Sequence, residues 1–261
     1  MENEMSFWDH LDELRGVIFR SLIFVAVLMI LFFIFMPEIF NNIILAPCRP
    51  DFILYEWLCG LNQLLHGILP DFCGETFHVK LINIKLASQF MTHMTTSFSL
   101  GLLFSFPFVL YQLWGFISPA LYSHEKKGVA FAFVFGNILF VLGVFVGYIV
   151  VFPLTLRFLI QYELSPLIEN QLSLDSYMSN FITMIFLMGV FFELPLLSMF
   201  LSKIGVLKRS FFNKYRRHAI VLTLIVAAFI TPSGDPFTLL VVFFPLYMLW
   251  ELSAIFVKKD S

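Results

Sequence analysis

Acidic residues occur at a few separated places in an otherwise apolar chain, and they are the first candidates for chemistry. Asp9, Asp12 and Glu13 precede the first long apolar run. Glu125 lies in a short polar segment between two later runs, and Glu193 lies deep inside another. A carboxylate binds a guanidinium group through two parallel hydrogen bonds, and a carboxyl group within a membrane can carry a proton. The acids therefore predict a site for a cationic ligand and a second site within the membrane.

The sequence motifs of common enzymes are missing. His124 and Glu125 begin a zinc-binding HExxH pattern, but Gly128 stands where the second histidine is required. Asp235 follows a glycine as in intramembrane aspartyl proteases, yet no second aspartate lies inside another apolar run. The chain also lacks a GxxxxGK phosphate loop and a GxSxG nucleophile elbow. We expect no enzymatic activity, no cofactor and no metal site.

Composition indicates that lipid solvates most of this protein. Of the 261 residues, 59% are apolar and only 13% are charged, against about 25% charged in soluble domains. Basic residues cluster only at 203–217, a pattern that positive-inside anchoring explains and that gives nucleic-acid binding little support. The acidic N-terminus lacks the basic region and cleavage site of a removable signal peptide, so the first apolar run is expected to remain as a membrane span.

Six apolar runs are long enough, or nearly so, to cross a hydrocarbon core that requires about 20 helical residues. Pro37 is expected to end the first run. Prolines also lie inside three runs, at 107, 195 and 245, where each favours a kink. We therefore expect an all-α integral membrane protein of one domain, residues 1–261, with six transmembrane helices, several of them kinked at proline. The predicted spans are 17–36, 89–115, 128–152, 177–201, 218–231 and 236–257.

The distribution of basic residues predicts the orientation of these spans. Twelve of the sixteen Lys and Arg residues fall on the side of the N-terminus, which places both termini in the cytoplasm. The loop at about 38–88 is then extracytoplasmic, and the localisation is the cytoplasmic (inner) membrane. The four basic residues on the outer side are Arg49, Lys80, Lys85 and Arg157.

The outer loop contains an amphipathic pattern and all three cysteines. Apolar residues recur there at steps of three and four, as in a helix with one apolar face, and they are Leu54, Leu58, Leu61, Leu65 and Ile68. On the oxidising side of the membrane three cysteines allow one internal bridge, and we predict Cys59–Cys73 with Cys48 left as a thiol.

The acids and glycines within the spans each allow two interpretations. Glu193 is either functional or an inward-facing residue that only ties helices together, since a charge near the bilayer centre costs about 2.5–3.5 kcal/mol. Glu251 lies nearer the interface, where simple solvation is the better interpretation. Gly136, Gly143 and Gly147 either allow a neighbouring helix to approach closely or reflect the ordinary glycine content of membrane helices.

Four segments of the chain have the character of sequence motifs, and they are HLDELR (10–15), FPFVLYQLWGFISPALYSHEKK (106–127), FELP (192–195) and TPSGD (231–235). Together they resemble the TatC family of the twin-arginine protein translocase. They occur in the family's order, and the second is long and specific. Six spans with both termini inside also match that family. The outer loop from Cys48 to about Lys85 is longer than usual, and nothing is transferred there.

The resemblance implies a receptor that binds signal peptides with two consecutive arginines and helps to export folded proteins, driven by the proton-motive force. It implies small single-span Tat subunits of the TatA and TatB type as partners, besides membrane lipid and further copies of the chain. Glu13 and Glu125 match the acids of the peptide site, which Arg15, Pro107 and Phe116 complete. Glu193 and Asp235 are the intramembrane polar residues assigned to transport.

Two departures from the family and two other functions remain open. Gly16 and Val17 follow the first motif where many relatives have another Arg nearby, and Asp235 stands further from its proline than in many relatives. The alternative function is a proton-coupled small-solute transporter that uses Glu193, although such transporters commonly carry internal repeats and none is evident here. A purely structural membrane scaffold is the third interpretation.

Overall fold

The computed structural model describes the backbone of residues 7–64, 79–118, 123–162, 164–165, 167, 170–203, 205–231 and 234–257. Of these it describes the side chains of all but 7–10, 123–129 and 203. The elements in chain order are α1 (Phe7–Ile39), α2 (Ile53–Leu64), β1 (Leu81–Ile82), α3 (Ser88–Ile117), α4 (Ser123–Val146), α5 (Phe152–Gln161), β2 (Leu172–Ser173), α6 (Leu174–Phe191), α7 (Leu194–Lys203), α8 (Arg209–Lys214), α9 (Arg216–Ile230) and α10 (Pro236–Phe256).

Five helical stretches within the described residues are long and apolar enough to cross a membrane. The predicted helical membrane protein is therefore confirmed, apart from one small parallel pairing of β1 with β2. Helix α9, the predicted fifth span, has 15 residues, which give about 22 Å of helix against a hydrocarbon core of about 30 Å. The five stretches are Leu11–Leu64, which includes α1, the turns after it and α2, then Ser88–Ile117, Ala130–Gln161, Leu174–Ser202 and Pro236–Phe256.

Consecutive long helices run antiparallel, which defines two ends of the bundle. Phe24 of α1 stacks on Phe108 of α3 at 4.1 Å between ring centroids, whereas Phe33, later in α1, stacks on His93, earlier in α3. Two aromatic pairs join α3 to α4 in the same way.

Phe256 at the end of α10 contacts Phe135 of α4, whereas Phe237 at its start stacks on Phe158 of α5, so α10 also runs antiparallel to α4. We call one end of the bundle the inner end. It contains the starts of α1 and α4 and the ends of α3 and α10. The opposite end, with α2, α5 and the strands, is the outer end.

Pro37 does not end the first helix, contrary to the expectation from the sequence. Helix α1 continues through Pro37 to Ile39 and then into a π-helical turn, Phe40–Ile44. Proline lacks the N–H that would bond to the carbonyl oxygen four residues earlier, which is that of Phe33. His93 of α3 supplies the missing donor, since its Nε2 lies 2.8 Å from the Phe33 oxygen. A side chain of the neighbouring helix thus compensates for the proline.

We expect the contributions of His93 and Pro37 to stability to be coupled. His93→Phe keeps the ring that stacks on Phe33 but removes the donor, and should cost about 1 kcal/mol. In a Pro37→Ala background the new N–H serves the Phe33 oxygen, so the same change should cost little. Thermal or denaturant unfolding of the four purified variants measures the coupling. Equal losses in both backgrounds would contradict this role for His93.

The predicted fourth span, 177–201, is divided into α6 and α7. Phe192 and Glu193 form a turn between the two helices. Pro195 lies in the first turn of α7, where its ring is tolerated but cannot donate the hydrogen bond that would continue α6. The break therefore places Glu193 at a junction of two helices.

Glycines of α4 and of the π-helical turn after it, Gly147–Val151, allow α6 and α7 to pack unusually close, which confirms the close-approach interpretation of their spacing. A methyl group on Gly143 would lie 2.7 Å from the Met188 carbonyl oxygen, and one on Gly147 would lie 3.1 Å from the Ile185 Cα. Gly189 faces α4 in the same way, since a methyl group there would lie 2.9 Å from the ring of Phe140. In lipid such close packing supplies much of the attraction between helices.

Gly143→Ala is expected to destabilise the bundle, because the new methyl group meets the backbone of α6 and not the flexible end of a side chain. Overpacking of this kind costs about 1–3 kcal/mol, which should lower the thermal midpoint in detergent by several degrees. Gly60→Ala is the matched control, since Gly60 is helical and exposed with no atom within 4 Å of the new methyl group. An unchanged midpoint for Gly143→Ala would show that the two helices separate at no cost.

Three tyrosines attach the chain between α1 and α2 to the outer end of the bundle. The hydroxyl of Tyr55 donates to the carbonyl oxygens of Pro47 and Pro153, at 3.0 and 3.1 Å. Tyr148 donates to Ile43 at 2.8 Å, and Tyr177 donates to the carbonyl oxygen of Ile44. We call this attached region, residues 40–64, the outer cap. Leu54 and Tyr55 on the buried face of α2 confirm the predicted amphipathic helix over Ile53–Leu64.

Residues 79–88, the last part of the outer loop, are held by β1 and by an acid at the start of α6. Leu81 and Ile82 pair with Leu172 and Ser173. Asp175 accepts hydrogen bonds from the Ser88 hydroxyl and from Lys85, whose Nζ lies 3.0 Å away.

The cysteine prediction is tested only in part. Cys48 is a buried free thiol, as expected, and Cys59 takes part in a disulfide. Cys73, its predicted partner, lies outside the described residues, so the Cys59–Cys73 pairing stays a prediction.

Candidate functional site

The inner end brings most of the predicted peptide-binding residues to one level of the bundle. Counting three turns back from the Phe24–Phe108 stack places Glu13 of α1 beside the last turn of α3, which contains Phe116. The Glu13 side chain is half-buried, while that of Arg15 is exposed and lies with its guanidinium carbon 5.6 Å from the centre of the Phe19 ring. A carboxylate and an aromatic side chain thus lie at one end of the helix pair α1 and α3.

Glu125 reaches the same end through the following helix. It is the third residue of α4, which begins six residues after α3 ends at Ile117. A negative charge there is favoured by the helix dipole whatever its function. The Glu125 side chain lies outside the described residues, so its distance from Glu13 stays open.

Pro107 lies away from this end and lines an apolar cavity. It precedes Phe116 by nine residues, or about 13 Å of helix. The cavity has a volume of about 270 Å³ and lies between α3, α4 and α6. Leu103, Phe140 and Ile185 are among its other lining residues. This surface suits an apolar segment, whereas the charged groups that would bind arginine lie further toward the inner end.

Glu193 is buried and makes none of the contacts that usually accompany a buried carboxylate. Only 6% of its surface is exposed, and neither carboxylate oxygen has a hydrogen-bond partner. One oxygen faces α4, where a methyl group on Gly136 would lie 2.9 Å from it. A buried charge without a partner is costly, so a neutral carboxyl is the cheaper form at this place. The interpretation that Glu193 ties helices together by hydrogen bonds has no support in these contacts.

Asp235 has a structural role at the start of α10. Its Oδ1 accepts a hydrogen bond from the Thr238 backbone N–H at 2.8 Å, and its Oδ2 accepts one from the Thr238 hydroxyl. This is the arrangement of an N-cap residue, which satisfies a backbone donor left free at the helix start. The predicted role of Asp235 in transport remains untested, and capping explains the residue without it.

Two contacts of charged side chains, one ion pair and one cation–π contact, could not be predicted from the sequence. Arg216 at the start of α9 binds Glu251 near the end of α10 through two hydrogen bonds of 2.6 Å, and Tyr247 also donates to Glu251 at 2.8 Å. Simple solvation of Glu251 was therefore the wrong interpretation. Arg157, counted as a basic residue of the outer side, is only 2% exposed and lies over the Tyr55 ring at 4.8 Å. An arginine and a glutamate beside apolar runs were the available signals, but their partners lie 35 and 102 residues away.

Side chains that can ligate a metal ion are not clustered in the part of the chain that the structure describes. No group of three or more His, Cys, Asp or Glu residues there is placed to hold a metal ion. Glu193 lies apart from the acids at the inner end. This agrees with the prediction of two separate sites, one for a cationic ligand and one within the membrane.

Comparison with known proteins decides what this arrangement belongs to. The family model of the Sec-independent protein translocase protein (TatC) matches residues 9–245. The chain belongs to the TatC family. The TatC of Blattabacterium sp. subsp. Periplaneta americana (strain BPLAN) is 33% identical over 252 residues, which are 97% of this chain and 94% of that protein. The TatC of Deinococcus radiodurans is 32% identical over 95% of this chain and 84% of that protein.

Solved structures of TatC share the fold described above. A crystal structure of the twin-arginine translocase receptor TatC is similar with a TM-score of 0.68 and 28% identity, covering 95% of this chain and 97% of that one. A crystal structure of the TatC receptor in DDM gives a TM-score of 0.74 over 95% and 99% of the two chains. TatC membership makes the chain a multi-pass component of protein export in the cytoplasmic membrane, not an enzyme, and sets aside the small-solute transporter.

Proposed function

We propose that this protein is the receptor subunit that binds twin-arginine signal peptides at its inner end and passes folded proteins across the cytoplasmic membrane at the expense of the proton-motive force. One observation carries the proposal. The HLDELR motif in α1 and the long motif that ends α3 and begins α4 meet at the inner end, although about a hundred residues separate them. An acidic surface on a bundle end that is otherwise basic suits a ligand with two guanidinium groups.

The export function is tested by removing the gene and following a folded reporter with a twin-arginine signal. Reporter in the cytoplasm of the deletion strain, and its export after reintroduction of this chain, is the expected result. A reporter with a Sec-type signal is the control, since its export should not change. Unimpaired export in a strain without any second copy would refute the proposal.

We infer that the chain has six spans with both termini in the cytoplasm. The distribution of basic residues supports this orientation, as does the antiparallel order that places the start of α1 and the end of α10 at the inner end. Helix α9 then serves as a short fifth span, and the outer cap faces the extracytoplasmic side.

Thiol labelling in whole cells should reveal this orientation. A cysteine in place of Asn83, which is exposed at the outer end, should react with a membrane-impermeant maleimide. A cysteine in place of Lys214, exposed at the inner end, should react only after the cells are opened. These tests use a background with the native cysteines replaced. Labelling of position 214 in intact cells would reverse the topology.

We also propose that small single-span Tat subunits and further copies of this chain pack against its lipid-facing helices. Helix α1 supports this, since it packs mainly on α3 and leaves large apolar side chains exposed along most of its length. Either lipid or another apolar helix can cover such a surface. Cysteines in place of Ile23 or Ile30, both exposed on α1, should crosslink to a single-span subunit. Crosslinks formed only from lipid-facing positions of other helices would contradict the proposal.

A further inference from the structure

Four cations around α8 form a patch that the receptor function does not use. Lys208, Arg209, Lys214 and Arg217 lie within ten residues of sequence, and no acid occurs anywhere in 203–217. Arg209 is half-buried and the other three are exposed. Within the described part of the chain, none of the four has an acidic partner. We call these four residues the basic patch.

Arg216 belongs to the same region but, unlike the basic patch, is paired with an acid. Arg216 lies between Lys214 and Arg217, and its guanidinium binds Glu251 through two 2.6 Å hydrogen bonds. Glu251 also accepts a hydrogen bond from Tyr247. Its carboxylate is thus already occupied, and no other acid in the described part of the chain pairs with the basic patch.

The basic patch is held in place by an apolar anchor beneath α8. Phe212 is almost fully buried and packs on Trp250, with 4.8 Å between ring centroids. Ala254 and Val257 at the end of α10 complete this small core. Because Phe212 points into the bundle, Lys214 projects from the opposite side of α8, so its ammonium group is presented outward on a fixed support.

The depth of the patch matches that of lipid phosphate groups. Directly after Arg217, α9 presents exposed apolar side chains that include Val221, Leu222 and Phe229, as expected of a surface in contact with acyl chains. Phe211 and Tyr215 of the patch region are themselves partly exposed, and aromatic residues favour the interface between acyl chains and headgroups. The cations therefore lie within about one helical turn of the hydrocarbon boundary.

We propose that the basic patch is a binding site for the phosphate groups of anionic phospholipids. A soluble acidic protein would have to displace lipid from the apolar surface next to the patch, whereas an anionic lipid satisfies the cations with its phosphate and the neighbouring surface of α9 with its acyl chains. Each Lys or Arg near an anionic surface contributes about 1 kcal/mol, or about a fivefold change in binding.

Native mass spectrometry of the purified full-length protein, titrated with phosphatidylglycerol or phosphatidylcholine, tests the site. The wild type should bind phosphatidylglycerol preferentially. Lys208→Gln/Lys214→Gln should weaken that binding by about 25-fold at low salt, without an effect on phosphatidylcholine. The matched control is Arg49→Gln/Lys80→Gln, which removes two cations at the outer end and should leave phosphatidylglycerol binding unchanged.

A third variant separates lost charge from lost folding. Lys208→Arg/Lys214→Arg keeps both charges and should retain wild-type binding, and all variants should share one thermal midpoint in lipid-free detergent. Equal losses from the patch variant and the outer-end variant would overturn the proposal, since net charge alone would then explain binding. Full phosphatidylglycerol affinity in Lys208→Gln/Lys214→Gln would overturn it as well.

Discussion

Glu13→Ala and Glu125→Ala are each expected to weaken the binding of a twin-arginine signal peptide by about ten- to a hundredfold. A hydrogen bond to a charged group contributes about 1.5–3 kcal/mol, which corresponds to that range of affinities. A Lys-Lys peptide should bind less well than the Arg-Arg peptide, because only the guanidinium group presents two parallel donors to one carboxylate. Site-specific crosslinking of the peptide to the wild type, both single variants and the double variant measures this effect directly.

Asp12 provides the matched control for this prediction. It precedes Glu13 in α1 and is exposed where Glu13 is half-buried, so Asp12→Ala removes the same charge from nearly the same place. Its effect should be small, since an exposed charge is screened by water and salt. If both glutamate variants still crosslink the Arg-Arg peptide far better than the Lys-Lys peptide, specificity lies elsewhere, and Asp9 and Asp12 become the candidates.

Glu193→Ala is expected to slow export by about tenfold or more, which corresponds to about 1.4 kcal/mol, while peptide binding stays close to that of the wild type. The buried carboxyl lacks hydrogen-bond partners and lies against Gly136, so it does not stabilise the fold through contacts of its own. Glu193→Gln keeps the size of the side chain and should retain peptide binding, with a smaller export defect than Glu193→Ala. Neither change should lower the thermal midpoint appreciably, because Glu193→Ala removes an unpaired buried carboxyl and Glu193→Gln replaces it with a neutral group of the same size.

Ser198→Ala is a suitable control for Glu193, because it removes a buried polar group from α7, the helix that follows Glu193. The Ser198 hydroxyl bonds only within its own helix, to the Leu194 carbonyl oxygen at 2.8 Å, and its loss should not affect export. Export and peptide crosslinking must be measured on the same membranes. A wild-type export rate for Glu193→Ala, or an export defect that follows lost peptide binding, would contradict a role in the transport step.

The spans could be predicted from the sequence because lipid exposure leaves a long apolar signal in the chain. The predicted span 89–115 differs from α3, Ser88–Ile117, by only one or two residues at each end. Prediction failed where a contact between residues distant in sequence offset the local preference of a residue. Pro37 should end a helix, but His93, 56 residues later, supplies the donor that keeps α1 continuous.

For the candidate site too, some features could be predicted from the sequence and others only from the folded chain. Residue type and depth were sufficient to select Glu193, since an acid inside an apolar run stands out. The meeting of Glu13 with the last turn of α3 was implied by antiparallel helices, whereas the bond of Arg216 to Glu251 requires the hairpin of α9 and α10 to be closed in register. Likewise Asp235 was assigned from its motif to transport, but the hydrogen bonds that show it capping α10 are visible only in the folded chain.

The three tyrosines that hold the outer cap have a consequence for how this region tolerates change. Each phenol has a main-chain carbonyl oxygen as an acceptor, and the four acceptors are those of Ile43, Ile44, Pro47 and Pro153. Every amino acid carries that acceptor, so a new side chain at 43 or 44 leaves the hydrogen bond available as long as the backbone keeps its path. The donors have no such freedom, because no other residue type places a hydroxyl at the same reach. Substitutions should therefore accumulate on the acceptor side of each bond, while the three tyrosines themselves cannot be exchanged without loosening the cap.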